Sequence, residues 1–258
     1  MIDKSIGFIG GGRITRIFLE GWTRARKIPA RVSVSDPNGD TIGRLKGRFP
    51  EIDGTSDNLK PAVQDLVFLA VHPPAMVETA ALIKGVVSAG AIVVSLAPKF
   101  TMARIGGLLG GFDRIARVIP NAPSVIGAGF NPVVYSPALS AEDRSALNSL
   151  LAPLGQYPET AEEKLEAYAL LSGMGPTYLW FQLQALREVA AGFGLSESEI
   201  AAAVEQMVIG VTRTLLGSGL TPAEVMDLVP VRPLAEMETQ VTEMYRSRLP
   251  AIYEKIRP

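Results

Sequence analysis

The sequence predicts an α/β fold in which an N-terminal parallel sheet precedes an all-helical region. Short apolar runs alternate with helical patterns through the first half of the chain, as in βαβ units with right-handed crossovers. A glycine cluster, Gly10–Gly12, follows the first of these runs. From residue 161 onward the chain has long helical patterns and no convincing strand. We therefore predict a first domain at residues 1–158 and a second at residues 159–258.

The predicted strands are short and apolar, as expected for a sheet that helices cover on both faces. They are Ser5–Ile9, Arg31–Ser35, Leu66–Val71, Ala91–Leu96 and Arg114–Ile119, with Val133–Tyr135 at the edge. Helical periodicity in the second half predicts helices over Thr177–Phe193, Glu197–Leu216 and Leu234–Ile256. Another helix begins at Thr221, an N-cap that Pro222 follows at the first helical position.

Composition excludes several classes of function. The 258 residues are 47% hydrophobic and 20% charged, which is typical of a globular protein. Lys and Arg number 25 against 26 Asp and Glu, so no overall positive charge favours nucleic acid or a membrane surface. The chain has no cysteine and a single histidine, which argues against a metal site. We expect a soluble cytoplasmic protein without a signal peptide.

The glycine cluster has the pattern of a dinucleotide site. Gly10 would form the tight turn, and Gly12 would let the backbone approach a pyrophosphate at a helix N-terminus. The third small position of the fingerprint is Thr15, not Gly or Ala. The alternative is a glycine-rich βα turn that binds nothing.

Asp36 ends the second predicted strand, about 20 residues beyond the glycine turn, where a carboxylate accepts hydrogen bonds from the adenosine ribose. This position favours NAD over NADP. Pro37 stands where an arginine would help to bind a 2′-phosphate, although Arg44 and Lys46 are near in sequence. Alternatively, Asp36 only opens the Asp-Pro-Asn-Gly turn.

His72 follows an apolar strand at the sheet edge where ligands bind in open α/β folds. Its imidazole can titrate near neutral pH. The competing interpretation is a side chain that lines the cofactor cleft without proton transfer. Ser95 and Ser172 lack the sequence context of a nucleophile elbow, which argues against a Ser–His–Asp triad.

Five sequence blocks carry a resemblance to a known family through their residues, their order and their spacing. They are Gly7–Gly12, Ala70–Pro73, Val93–Ala97, Arg117–Pro123 and Leu171–Tyr178. Together they resemble the pyrroline-5-carboxylate reductase family over nearly the whole chain. The resemblance implies a Rossmann domain followed by a helical dimerisation domain, with active sites between the sheet and helices of both subunits. It also implies hydride transfer from a nicotinamide cofactor to the C=N bond of a cyclic imine, which gives proline in the family.

The glycine turn and Asp36 indicate some of the site residues, and the resemblance to the family implies the others. The cofactor positions are Gly10, Gly12, Arg13 and Ile14 at the pyrophosphate, Asp36 and Asn58 at the adenosine, Ala70, His72 and Pro73 along the wall, and Ala97 and Asn121 near the nicotinamide. We place the reacting centre at Ser172, Thr177 and Arg232. Thr177 is usually alanine in the family, so its hydroxyl is either a substrate contact or an ordinary helix N-terminal residue.

Departures from the family concern the substrate end. The family usually has lysine where His72 stands and glycine in the turn that Pro98 and Lys99 occupy. Its Ser-Pro-Gly-Gly-Thr-Thr loop, which grips the substrate carboxylate, is replaced by Pro230–Glu236. Arg232 either holds a carboxylate directly or is a surface arginine at a helix start.

The helices of the second half are too apolar to bury every face within one chain, so we expect a homodimer, or a higher oligomer, through them. The alternative is a helical bundle that packs only on its own first domain.

Three functions remain: a reductase of a small cyclic imine or related carboxylated substrate, another NAD(P)- or deazaflavin-dependent oxidoreductase, and a non-catalytic nucleotide-binding homologue. Enzymes of the β-hydroxyacid dehydrogenase type usually have a lysine on the first long helix of the second domain. Here that helix has Arg187 and Glu188 but no lysine, which argues against such an enzyme.

Overall fold

A computed structural model describes residues 4–258. The chain forms two compact units: residues up to Met174 with Ile252–Pro258, called here the sheet unit, and Gly175–Ala251, called the helical unit. The division falls later than the change of pattern near residue 158, because Leu165 and Ala169 pack against Ile119 of the sheet unit.

Nine strands lie among the described residues of the sheet unit. They are β1 (Ile6–Ile9), β2 (Val32–Ser35), β3 (Asp53–Thr55), β4 (Leu66–Leu69), β5 (Ile92–Ser95), β6 (Ile115–Val118), β7 (Gly129–Phe130), β8 (Val133–Tyr135) and β9 (Gly155–Gln156). Seven of them form one sheet in the order β3-β2-β1-β4-β5-β6-β8. All neighbours in it are parallel except β6 and β8, which pair antiparallel, and β7 and β9 form a separate pair. The predicted Rossmann-type sheet is confirmed.

Helices cover the sheet and form the second unit. In the sheet unit they are α1 (Arg13–Arg24), α2 (Gly39–Arg48), α3 (Leu59–Ala62), α4 (Met76–Ile83), α5 (Met102–Leu108), α6 (Ala141–Leu151) and α7 (Leu165–Tyr168), followed by a π-helix (Ala169–Gly173). The helical unit contains α8 (Pro176–Gly192), α9 (Glu197–Gly217), α10 (Pro222–Asp227) and most of α11 (Ala235–Ile256).

The sheet core explains why the central strands are continuous apolar runs. Phe8 of β1 stacks on Phe68 of β4 with ring centroids 4.7 Å apart, and Phe18 and Trp22 of α1 complete an aromatic cluster on that face. Buried Trp22 donates its indole N–H to the carbonyl of Leu150 at 2.8 Å. Burying these four rings fixes α1 on the sheet, and with it the turn that precedes α1.

The helical unit has well-defined helix ends but little buried apolar surface. Capping boxes at Ser196 and Thr221 begin α9 and α10, and Pro222 occupies the first turn of α10 as predicted. Among the described residues of α8–α11, only Ile200 is fully buried. Phe193 is 80% exposed and Leu216 is 79% exposed. The unit therefore presents large apolar side chains at its surface.

Within residues 4–258, one helix, α9, is long and apolar enough to cross a membrane by length and composition alone. A single helix of this kind is weak evidence for a membrane span, because helices that pack against other protein surfaces have the same composition.

Candidate cofactor and substrate site

The turn between β1 and α1 has the backbone that the dinucleotide prediction requires. Gly10 has φ +106°, and a Cβ on it would lie 2.6 Å from the carbonyl oxygen of Ala70. A Cβ on Gly12 would meet nothing within 4 Å. No side chain among the described residues caps the N-terminus of α1. The first N–H groups of α1, including those of Arg13 and Ile14, therefore face an open space suited to an anion.

Thr15 replaces the third small residue of the fingerprint without disturbing the turn. Its side chain is fully buried, and its hydroxyl donates to the carbonyl oxygen of Gly10 at 2.5 Å. The threonine thus ties the first turn of α1 back to the end of β1.

Asp36 connects the glycine turn to the loop after β2. One carboxylate oxygen accepts the N–H of Gly11 at 2.9 Å, and the other accepts the N–H of Asn38 at 2.9 Å. The second bond closes the start of the Asp-Pro-Asn-Gly turn, which was the alternative role for Asp36. The two roles are compatible, because a carboxylate oxygen can accept more than one hydrogen bond. Nearby, Asn58 accepts a hydrogen bond from the hydroxyl of Ser35 at 2.7 Å.

The wall of the site follows β4. Ala70 is partly buried, and its carbonyl closes the space beside Gly10. His72 is exposed and precedes a 3-10 turn, Pro73–Ala75, where its carbonyl accepts the N–H of Ala75 at 2.9 Å. This position at the sheet edge suits a residue that lines the cleft.

Asn121, which follows β6, connects the sheet to the π-helix and to β7. Its side-chain N–H donates to the carbonyl of Ser172 at 3.2 Å, and its side-chain oxygen accepts the N–H of Phe130 at 3.0 Å. The hydroxyl of Ser172 donates to the carbonyl of Tyr168 at 2.9 Å within the π-helix. π-Helical turns occur often at functional sites. The structure thus joins Asn121 and Ser172, two predicted residues that are 51 positions apart.

A buried ion pair supports this region, and the sequence analysis did not foresee it. Arg117 of β6 contacts Glu166 at 2.5 Å and Glu162 at 3.0 Å. Glu166 also accepts the N–H of Lys99, in the loop that follows Ala97, at 3.1 Å. The signal was present in the sequence, because an arginine inside an apolar strand needs a carboxylate partner.

Thr177 and Arg232, the other residues of the predicted reacting centre, belong to the helical unit. Thr177 is exposed near the start of α8. Arg232 lies in the loop between α10 and α11 and forms a two-bond ion pair with Glu238, with Nε 3.1 Å from Oε1. Both side chains of the pair are 46% exposed. The sequence left two roles open for the Arg232 guanidinium, a substrate contact and a surface position at a helix start, and in the structure this group holds a carboxylate of the protein.

An apolar cavity of about 690 Å³ lies between α9, α10 and α11. Its lining is mainly aliphatic and includes Val211, Leu215 and Met237. Within residues 4–258, no cluster of three or more His, Cys, Asp or Glu side chains is arranged to hold a metal ion.

In comparisons with known proteins, two different family models match the two halves of the chain. Residues 5–99 match a family model described as NADP oxidoreductase, coenzyme F420-dependent, and residues 162–232 match one described as pyrroline-5-carboxylate reductase dimerisation. The chain is 25% identical over 229 residues to the pyrroline-5-carboxylate reductase of Escherichia coli (strain K12), covering 88% of this chain and 85% of that protein. It is 27% identical over 223 residues to that of Corynebacterium melassecola, covering 85% and 83%. The chain is therefore similar to pyrroline-5-carboxylate reductases over most of its length and most of theirs.

Solved structures agree with this similarity. A pyrroline-5-carboxylate reductase from Coxiella burnetii superposes with a TM-score of 0.69 at 27% identity, covering 98% of this chain and 94% of the other. The Plasmodium falciparum pyrroline carboxylate reductase, solved with NADP bound, has a TM-score of 0.74 at 19% identity, covering 99% and 95%. The second likeness concerns the fold alone. The resemblance inferred from five sequence blocks is therefore confirmed, and so is the predicted fold class.

Proposed function

We propose that this chain, which is similar to pyrroline-5-carboxylate reductases, is an NAD(P)H-dependent reductase of the C=N bond in a small cyclic imine. Pyrroline-5-carboxylate, named in its relatives, is the first substrate to test. The observation that carries the proposal is that an open, uncapped glycine turn follows β1 and the contact between Asn121 and Ser172 follows β6, two parallel strands of one sheet.

The residues present fit a dinucleotide. A side chain at Gly10 would collide with Ala70, whereas the space above Gly12 is open to a ligand. The first N–H groups of α1 would hold the pyrophosphate, and Asp36 and Asn58 would contact the adenosine. Ala70, His72 and Pro73 would form the wall, with Ala97 and Asn121 next to the nicotinamide. When bound, the reduced nicotinamide supplies the hydride for the C=N bond.

The chain itself needs to position the substrate and exclude water more than to move protons. A protonated imine is already an electrophile, and its reduction gives a neutral amine. Asn121 holds the π-helix through the carbonyl of Ser172, which fixes the surface where the substrate would lie. Positioning of this kind contributes several kcal/mol in well-oriented reactions, roughly 7–11 at most.

Recognition of the substrate carboxylate is where this chain departs from its relatives. Arg232 is the cation of the replaced loop, and Glu238 occupies it. We propose that a carboxylated substrate displaces Glu238 from Arg232. An exposed ion pair contributes only about 0–1 kcal/mol, so the exchange costs little. In the competing proposal the pair only stabilises the start of α11, and Thr177 is an ordinary residue of the first turn of α8.

We propose that a second copy of the chain covers the apolar surface of the helical unit. The exposed side chains of Phe193 and Leu216 would then become buried, as would the apolar cavity beside α9. Residues 159–258 would serve as the dimerisation and substrate domain, and residues 1–158 as the dinucleotide domain. A cytoplasmic homodimer without nucleic-acid or membrane partners fits this composition.

The test measures oxidation of NADH and of NADPH by absorbance, with pyrroline-5-carboxylate, other cyclic imines and 2-oxo acids as substrates. Turnover on an imine supports the proposal. Turnover on a 2-oxo acid alone would favour another oxidoreductase chemistry. Tight nucleotide binding without turnover on any substrate would favour the non-catalytic homologue, in which the replaced loop has lost the substrate.

A further inference from the structure

Four residues beside the proposed nicotinamide position form a closed ring of contacts. The side chain of Asn121 accepts the backbone N–H of Phe130 at 3.0 Å and donates to the carbonyl of Ser172 at 3.2 Å. The Ser172 hydroxyl donates to the carbonyl of Tyr168 at 2.9 Å. The rings of Phe130 and Tyr168 close the circle, with centroids 5.8 Å apart and ring planes tilted by 42°. Two residues predicted for the site and an aromatic pair therefore form one connected group.

The aromatic pair keeps part of its surface accessible. Phe130 and Tyr168 are partly buried, whereas the aromatic cluster of the sheet core is fully buried. The segments that carry the pair expose further apolar side chains. Leu171, in the π-helix after Tyr168, is 73% exposed. Ile126, in the 3-10 turn that leads to Phe130, is 67% exposed. The surface of these two segments is therefore apolar and open to a ligand.

The pair follows elements at the end of the sheet where open α/β folds bind their ligands. Phe130 belongs to β7, nine residues beyond Asn121, which follows the carboxyl end of β6. Tyr168 is the last residue of α7, and the π-helix that contains Ser172 follows it directly. Ligand pockets are lined mainly by apolar and aromatic side chains with a few polar groups. An aromatic surface at this edge suits the ring of a substrate.

We infer that Phe130 and Tyr168 are specificity-determining residues that contact the ring of the imine, and that the protein favours cyclic imines carrying an aromatic ring. The inference deepens the proposed function, on which it rests. Aromatic rings attract one another in offset or edge-to-face arrangements, beyond the gain from burying their apolar area. The pair would therefore bind an aryl-bearing imine more tightly than a small aliphatic one. A carboxylate on the substrate gains nothing from this surface.

The test compares two cyclic imines that differ by a fused benzene ring, 3,4-dihydroisoquinoline and 2,3,4,5-tetrahydropyridine, called here the bicyclic and the monocyclic imine. In steady-state kinetics with a saturating reduced nicotinamide cofactor, the bicyclic imine should have the lower KM. Phe130→Leu and Tyr168→Leu should each raise that KM roughly two- to tenfold, the worth of one aromatic contact. KM for the monocyclic imine should change much less. Tyr168→Phe retains the ring and should keep the wild-type preference.

Two controls separate ring binding from a general disturbance of the fold. Phe112 is also a partly buried aromatic residue of the sheet unit, but it precedes β6 and so lies at the amino end of that strand. Phe112→Leu should leave the ratio of the two KM values unchanged. Calorimetric binding of the product amines, tetrahydroisoquinoline and piperidine, repeats the comparison without turnover and should show the same dependence on Phe130 and Tyr168.

Equal losses for the two imines in Phe130→Leu and Tyr168→Leu would overturn the inference, and the pair would then serve only to pack β7 on α7. A wild type that shows no preference between the two imines would overturn it as well. If the protein reduces no imine at all, the proposed function fails, and the amine affinities alone decide whether the pair binds a ring. If it reduces both imines without preference, only the inference about the aromatic pair fails.

Discussion

The guanidinium of Arg117 lies 2.5 Å from the carboxylate of Glu166, and the two side chains are 1% and 2% exposed. This pair joins β6 to α7, and Glu166 also holds the backbone N–H of Lys99. Three segments that border the proposed nicotinamide site therefore meet at one buried charge pair.

Replacing Arg117 by leucine should destabilise the protein by about 3–5 kcal/mol, because Glu166 would remain buried without its partner. Chemical denaturation measures this loss. Arg257→Leu is the control, since its ion pair with Glu254 is 57% and 56% exposed and should be worth about 1 kcal/mol or less. Similar losses for the two variants would contradict a structural role for the buried pair.

Gly10 and Gly12 should respond differently to the same substitution. Gly10→Ala places a side chain at a positive φ, with its Cβ 2.6 Å from the carbonyl oxygen of Ala70. The free energy of unfolding should therefore fall by at least about 2 kcal/mol. Gly12→Ala meets open space and should change stability by about 1 kcal/mol or less. It should nevertheless weaken nucleotide binding about tenfold or more, because the methyl group would face the pyrophosphate. Undiminished nucleotide affinity in Gly12→Ala would place the pyrophosphate elsewhere.

Asp143 should make stability depend on acid pH. Burial disfavours its carboxylate, but hydrogen bonds from Ser140 and the nearby Arg114 outweigh burial and hold the pKa of Asp143 below its usual value. A carboxyl whose pKa is lowered by folding stabilises the protein above its unfolded pKa of about 3.9. That contribution is lost as the pH falls through the lower folded-state pKa.

Asp143→Asn should therefore reduce stability by about 1–3 kcal/mol at neutral pH, and the difference from the wild type should shrink below about pH 4. Denaturation curves across this range measure both effects. Glu142→Gln, an exposed acid in the same helical turn, is the control and should have an effect of about 0.5 kcal/mol or less. A destabilisation by Asp143→Asn that is constant with pH would rule out the charge as its cause.

Lys99 has φ +77°, a conformation that favours glycine. Lys99→Gly should raise stability by about 0.5–1 kcal/mol, because relief of the left-handed backbone exceeds the added entropy of the unfolded chain. Lys27→Gly provides the same exchange at a residue without positive φ and should destabilise by about the same amount. Thermal unfolding tests whether the melting temperature rises in Lys99→Gly and falls in Lys27→Gly. If both variants shift it in the same direction, strain at Lys99 is not the cause.

Arg232→Ala should raise KM for a carboxylated substrate about tenfold, with a smaller change in kcat, if Arg232 binds the carboxylate. Glu238→Gln should lower that KM, because the competing carboxylate is removed. Arg246→Ala breaks another exposed ion pair of the helical unit and should leave KM unchanged. Steady-state kinetics distinguishes these outcomes, and an unchanged KM in Arg232→Ala would assign the Arg232–Glu238 pair to the start of α11 alone.

The sequence predicted the elements that carry strong local signals. The apolar runs of β1, β4, β5 and β6, and the long helices α8, α9 and α11, appear within a few residues of their predicted bounds. It missed β3, whose three residues Asp53–Thr55 show no apolar pattern, and α6, despite the capping box at Ser140. Short edge strands depend on the neighbouring strand for their conformation, so their own residues give little warning.

The sequence by itself determined the Rossmann-type sheet, the glycine turn and the resemblance to pyrroline-5-carboxylate reductases, because glycines at fixed spacing and apolar periodicity act locally along the chain. Only the tertiary structure decided which distant side chains meet. It brought Asn121 to Ser172 and Arg117 to Glu166. Such contacts depend on how helices cross over a twisted sheet, which spacing along the chain does not specify.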